Sequence, residues 1–130
     1  MRILLVEDEP SQQEALGIVL TVSGYTVLRA TNVDEALALV SSPLDGAILD
    51  VRLPDPKGLN RDGLTVLREL RTRQPTRIPV AVFTGIPLSD DQESLVRTHD
   101  ATLFYKPQTF DPILALLARP RISSLYHPPQ

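Results

Sequence analysis

The sequence predicts an α/β fold, a doubly wound, five-stranded parallel sheet in the order 2-1-3-4-5 with helices on both faces. Three observations carry this expectation. Short runs rich in Ile, Leu, Val and Ala alternate five times with segments of helical spacing, the mark of repeated strand–helix–strand units. The first four runs lack the strict apolar–polar alternation of a half-exposed strand, as suits strands covered on both faces. A chain of 130 residues has room for one such core and not for a second domain.

The strand candidates are Arg2–Val6, Thr26–Ala30, Ala47–Asp50, Pro79–Phe83 and Thr102–Tyr105. Between the first two, Ala15, Leu16, Val19 and Leu20 form one helical stripe. Gly24 marks its end, because glycine takes the left-handed conformation that stops a helix without steric penalty. Val33, Ala36, Leu37 and Val40 repeat the helical spacing behind Asn32, which reads as an N-cap with Glu35 three residues on. A third helix is expected from about Leu64 to Thr72 behind Asp62. A fourth, Ser89 to Thr98, has only Leu95 and Val96 as large apolar residues and is expected to be loosely held. The fifth, about Pro112 to Ala118, tolerates Pro112 in its first turn and cannot continue through Pro120. Right-handed crossovers between parallel strands then favour the order 2-1-3-4-5. The domain is expected to span 1–118, with 119–130 a poorly ordered C-terminal tail or the start of a linker.

Composition narrows the function classes. A formal net charge of -3 supplies no broad basic field, so direct nucleic-acid binding by this domain is not expected and protein partners are. There is no cysteine, which removes disulfide frameworks and thiolate zinc sites. The apolar runs are too short to span a bilayer. With no signal peptide before the first strand, a cytoplasmic location is expected.

In doubly wound sheets ligands bind outside the carboxyl ends of the strands, where the strand order reverses. Reading the residues at those ends gives Glu7 and Asp8 after the first strand, Asp50 closing the third, Thr84 after the fourth and Lys106 after the fifth. Taken singly, each has an ordinary structural explanation, such as a helix-capping acid or a turn-initiating Asp. Together they form a site. Three converging carboxylates resist ionisation unless a cation joins them, and hard oxygen ligands without His or Cys suit Mg2+. An ammonium and a hydroxyl opposite the acids suit the oxygens of a phosphoryl group. Asp50 then has the role of a nucleophile that accepts that group.

At this point the chain resembles the receiver (response regulator) domains of bacterial two-component signal transduction systems, which have the flavodoxin-like fold. The resemblance rests on LLVEDE at 4–9, ILDVRLP at 48–54, DGL at 62–64, VFTG at 82–85 and YKP at 105–107. It implies that Asp50 is the phosphoacceptor for a sensor histidine kinase or phosphotransfer protein. It also implies that Asp8, Asp50 and the backbone carbonyl of Arg52 hold magnesium, with Glu7 reaching it through water. Lys106 would pair with the phosphoryl oxygens, the Thr84 hydroxyl would move onto them, and the Gly85 amide would donate to them. A cis peptide is implied at Lys106–Pro107. By the same resemblance the domain is a signalling switch rather than an enzyme, with weak autophosphorylation from small phosphodonors and slow self-dephosphorylation. It would act on an unknown downstream target protein, as a monomer or a phosphorylation-dependent homodimer.

Two departures stand out. Gly58 lies at the usual distance from Asp50 for the acid-glycine pair that opens the third helix, yet the Asp62–Gly63 pair comes five residues later. The stretch PDPKGLNRDG, 54–63, therefore reads as a lengthened loop, either a modifier of the site or a tolerated surface insertion. Leu103 stands where the family commonly has an aromatic that turns inward. Phe104 and Tyr105 follow, but a one-residue offset in a strand places a side chain on the other face. These departures keep open a second reading, a phosphorylation-independent interaction module. A phosphohydrolase reading is disfavoured, because the position two residues after Asp50 is Arg52 and not an acid. His99 and His127 show no metal-ligand spacing and are expected at the surface.

Overall fold

The computed structural model describes residues 1–119. Five parallel strands, β1 (Arg2–Val6), β2 (Thr26–Ala30), β3 (Gly46–Leu49), β4 (Val80–Thr84) and β5 (Thr102–Tyr105), form one sheet in the order β2-β1-β3-β4-β5. The helices between and after them are α1 (Pro10–Val22), α2 (Val33–Leu37), α3 (Gly63–Arg73), α4 (Asp90–Thr98) and α5 (Asp111–Leu117). Every neighbouring strand pair is parallel, so each connection crosses the sheet as a helix.

The central strands are buried on both faces, and alternate side chains feed two cores. Leu4, Val6, Ala47, Leu49, Val80 and Val82 pack with Val33, Ala36, Leu64, Leu67, Leu70 and Val96 of α2, α3 and α4. Ile3, Leu5, Ile48, Ala81 and Phe83 pack with Leu16 and Leu20 of α1 and Ile113, Leu116 and Leu117 of α5. This explains the unbroken apolar runs of the sequence: neither face of these strands meets water.

The elements depart from the sequence expectations in ways that have local causes. In α1 the buried stripe is Leu16, Gly17 and Leu20, while Ala15 is exposed. Gly17 belongs to the stripe because the Arg29 guanidinium lies where its Cβ would be. The expected stop at Gly24 is present: its φ is +94°, and the Gly24 and Tyr25 N–H groups donate to the carbonyls of Thr21 and Leu20 at 3.0 Å each, a Schellman closure. The second helix ends at Leu37, short of Val40. Val40 is still buried, but the chain tightens into turns, and the Gln74 side-chain amide takes the Val40 and Ser42 carbonyls at 2.6 and 2.8 Å. A side chain from the end of α3 thus replaces further helix as partner for those carbonyls.

Asp50 lies just beyond β3 rather than in it, while its N–H still donates to the Val6 carbonyl at 2.9 Å. Thr84 is the last residue of β4, not the first after it, and Pro79 lies before the strand. The expected fourth helix is present and well capped, with Ser89 and Gln92 satisfying each other's backbone N–H groups. Its thin apolar footing is also present: only Val96 is fully buried. The residues 120–130, which contain most of the expected tail and His127, lie outside the described residues.

Candidate functional site

Register places the site. Val6 is paired with Ala30 on one side and Leu49 on the other, so Glu7 and Asp50 leave adjacent strands at the same level. Thr84 is paired with Tyr105, which brings Lys106 to that level from the sheet edge. The Lys106 N–H donates to the Thr84 carbonyl at 2.8 Å, continuing the ladder one step past both strands.

The Lys106 side chain then reaches across the strand ends. Its ammonium donates to Glu7 Oε2 at 2.7 Å and to Asp50 Oδ2 at 3.0 Å. It passes 5.4 Å from the centre of the Phe83 ring, a distance at which the ring face attracts a cation. Asp8 completes the cluster: one carboxylate oxygen from each of Glu7, Asp8 and Asp50 lies within 4.8 Å of the others. Glu7 and Asp50 are buried and Asp8 is exposed, so the cluster opens to solvent on the Asp8 side.

The electrostatics show a site short of positive charge. Burial pushes the Glu7 carboxyl up to about 7; the neighbouring Asp50 charge adds to this, and the Lys106 hydrogen bond opposes it. Burial works against the Lys106 ammonium, but the hydrogen bonds and charges of Glu7 and Asp50 outweigh it and raise its pKa above the ordinary lysine value. One ammonium, bonded to Glu7 and Asp50, thus stands against three acids, and burial biases the Glu7 carboxyl toward its neutral form. A divalent cation would relieve the same imbalance, and an all-oxygen donor set of carboxylates fits magnesium.

The remaining expected residues surround this cluster. Gly85 lies against Lys106, and a Cβ there would rest 3.7 Å from Lys106 Cδ. The Thr84 side chain is fully buried, and its hydroxyl accepts the Ile86 N–H at 3.4 Å rather than a bond from the acids or Lys106. Arg52 is exposed two residues beyond Asp50. The Lys106–Pro107 peptide is cis. His99 lies half-buried at the end of α4, with its Nδ1 2.9 Å from the Leu95 carbonyl.

Three residues near the site are not apparent from the strand ends. The Gln13 side-chain amide on α1 donates to the carbonyls of Glu7 and Ala30 at 2.9 and 3.1 Å, tying the ends of β1 and β2 together. Gly63 packs its Cα against Asp50, where a Cβ would collide with the Asp50 carbonyl, and donates to the Val51 carbonyl at 2.8 Å. Asp62 caps α3 through the Leu64 and Thr65 N–H groups. Asp62–Gly63 is thus the pair that opens α3, as the sequence suggested, and Gly58 is a loop glycine with φ +64°. Tyr105 corrects the reading of β5. Phe104 does turn to the opposite core, but Tyr105 shares the face of Leu103 and Thr84. It is 40% exposed, and its hydroxyl accepts the Leu88 N–H at 3.4 Å.

Comparison with known proteins agrees with this geometry. The family model for the response regulator receiver domain matches residues 3–118. The transcriptional regulatory protein KdpE of Mycobacterium tuberculosis is 36% identical over 116 residues, 88% of this chain and 48% of that protein. The transcriptional regulatory protein AruR of Pseudomonas aeruginosa is 37% identical over 90 residues, 65% of this chain and 34% of that protein. The chain therefore spans half or less of the length of these two relatives. Among solved structures, the response regulator TrrA of Thermotoga maritima in complex with magnesium and beryllofluoride superposes with a TM-score of 0.69 at 29% identity, covering 88% of this chain and 93% of that one. The receiver domain of HemR from Leptospira biflexa shares the fold with a TM-score of 0.78 at 23% identity, over 94% and 98% of the two chains. On the strength of the family match across nearly its whole length, the chain belongs to the response regulator receiver domains of two-component systems.

Proposed function

We propose that this domain is a magnesium-dependent phosphoryl acceptor whose acceptor atom is a carboxylate oxygen of Asp50. The observation that carries this reading is the contact of one ammonium, Lys106, with both Glu7 and Asp50 beside the Asp8 carboxylate. In the reaction an Asp50 oxygen attacks phosphorus, the bond from phosphorus to a histidine nitrogen of the donor breaks, and an acyl phosphate forms. Asp8, Asp50 and the Arg52 carbonyl would hold the magnesium, with Glu7 at its edge. When bound, magnesium neutralises charge on the phosphoryl oxygens as the donor approaches. Lys106 then exchanges its carboxylate partners for a phosphoryl oxygen, and the Gly85 amide and Thr84 hydroxyl supply neutral donors.

The Thr84 hydroxyl also accepts the Ile86 N–H, so turning it toward the phosphoryl group would couple the chemistry to the loop before α4. The output is therefore a change in the surface of α4 and β5, recognised by a target protein. The donor is a sensor histidine kinase or phosphotransfer protein, and the setting is cytoplasmic. The domain works as a switch and not as a turnover enzyme, with only slow loss of its own phosphoryl group. The curated relatives include transcriptional regulators and a cyclic di-GMP phosphodiesterase of Thermotoga maritima, of which this chain covers 25%. That variety fits a receiver module that controls unrelated outputs.

The test is intact mass after incubation with acetyl phosphate and magnesium, beside Asp50→Asn and a magnesium-free control. One added phosphoryl group in the wild type with magnesium alone is the expected result. No gain, together with failure to bind beryllofluoride, overturns the reading in favour of a phosphorylation-independent interaction module. Leu103 in place of an aromatic is the feature that favours that alternative.

A further inference from the structure

The lengthened loop between Asp50 and α3 is built around one buried carboxylate. Asp55 accepts the backbone N–H groups of Lys57, Leu59 and Arg61 at 3.0, 3.1 and 3.0 Å. It also takes Arg61 Nε at 3.0 Å and Arg61 Nη2 at 2.7 Å, the two-pronged geometry that guanidinium and carboxylate share. The Asp55 side chain is only 7% exposed, and the Arg61 hydrogen bonds hold its carboxyl well below the usual carboxylate range. Gly58 and Asn60, at φ +64° and +56°, supply the left-handed turns that let the chain wrap around it.

This loop is fastened to α2 at both ends. At its start the Pro54 carbonyl accepts the Val33 N–H at 3.0 Å. At its far end Arg61 Nη2 donates to Asp34 Oδ1 at 2.7 Å. Immediately outside these ties lie the parts of the backbone that the acceptor reading needs. On one side is the stretch Asp50–Arg52, and on the other is Gly63, packed against the Asp50 carbonyl and bonded to the Val51 carbonyl. A tolerated surface insertion has no need to saturate a buried carboxylate or to tie itself to a neighbouring helix.

We infer that Arg61, through Asp55 and Asp34, is a positioning residue for the magnesium site: it holds the loop so that the Asp50–Arg52 backbone keeps its place in the absence of metal. The inference rests on the acceptor reading above. Groups that orient metal ligands from behind typically account for roughly 10-fold to 100-fold in metal affinity, and a residue acting through a loop belongs at the lower end. Arg61→Ala should therefore weaken magnesium binding about tenfold. Arg61→Lys should restore little of this, because an ammonium cannot span two acids as a planar fork does. Asp34→Ala removes the Arg61 tie to α2, together with the long Lys57 contact, and leaves the Asp55–Arg61 pair and the Pro54–Val33 bond in place, so its effect should fall between.

The experiment titrates magnesium into the metal-free wild type and the three variants by calorimetry, with amide hydrogen exchange of Val51, Arg52 and Gly63 followed in the metal-free chains. Phosphoryl uptake from acetyl phosphate is measured against magnesium concentration. The expected result is a shifted magnesium dependence with the same uptake at saturating magnesium, and faster exchange confined to those amides. Unchanged magnesium affinity in Arg61→Ala, in a wild type that binds magnesium and takes up phosphoryl, overturns the inference and leaves the acceptor reading standing. If Arg61→Ala fails to fold, Asp34→Ala decides the same question, since it leaves the Asp55–Arg61 pair in place. A wild type that neither binds magnesium nor takes up phosphoryl overturns both.

Discussion

The two helices that flank the site differ in how they are held. On one side α3 buries Leu64, Val66, Leu67 and Leu70 and opens on the Asp62 cap, with Gly63 pressed on Asp50. On the other, α4 buries only Val96. It is held mainly by polar groups: a capping box at its start and, at its end, Arg71 of α3. Arg71 donates to the His99, Ile78 and Asp100 carbonyls at 2.7, 2.7 and 3.0 Å. A cation at a helix C-terminus is favourable, but polar ties of this kind exchange with water more readily than a packed core opens. The contrast teaches that the two flanks have separate tasks. The α3 side packs firmly against Asp50, and the α4 side, with one fully buried apolar residue, is the segment expected to have the lower local stability.

Four outcomes would break or sharpen that contrast. The largest is expected from core truncation. Leu70→Ala should destabilise the chain by about 3 kcal/mol or more, whereas Val96→Ala removes less buried surface and should cost about half as much. Urea unfolding measures both, and equal losses would mean that α4 is as firmly rooted as α3. Next come the two glycines at the strand ends. Gly63→Ala places a methyl group on the Asp50 carbonyl and should cost roughly 1–3 kcal/mol. Gly85→Ala meets only Lys106 at ordinary contact distance and should stay within about 0.5 kcal/mol.

An effect of pH is also expected, because a raised carboxyl pKa links folding to proton uptake. Burial holds the Glu7 carboxyl up to about 7 in the folded chain, whereas an ordinary glutamate lies near 4.5. Folding takes up a proton between those values, so stability without divalent cations should be full below about pH 4.5 and decline as pH rises toward 7. Thermal unfolding across this range should show the decline, and Glu7→Gln should remove that slope. The smallest effect is expected from Tyr105→Phe, which deletes the long hydrogen bond to the Leu88 amide. It should cost about 0.5 kcal/mol and speed amide exchange in the loop before α4 without changing exchange in α3.

Much of this molecule was legible in the chain because its signals are local. Apolar runs buried on both faces mark β1, β3 and β4, Asn32 and Asp62 announce helices through their own side chains, and Gly24 ends α1 by its left-handed backbone. The order of the strands followed from crossover handedness, and the strand-end residues Glu7, Asp8, Asp50, Thr84 and Lys106 followed from that order. The early end of α2 was not legible, because the amide that takes the Val40 and Ser42 carbonyls just beyond it comes from Gln74, far along the chain. The face of Tyr105, by contrast, follows from the chain alone, because a strand returns to the same face two residues after Leu103.

The sequence by itself determined which residues stand at the strand ends, since burial pattern and capping chemistry act over a few neighbouring positions. Only the tertiary structure decided how they are joined. Lys106 meets Glu7 across 99 positions and Asp50 across 56, and Arg61 meets Asp34 across 27. Such pairings carry no periodic signal. They exist because a twisted parallel sheet brings distant strand ends to one edge, where burial makes an unpaired charge too costly to leave alone.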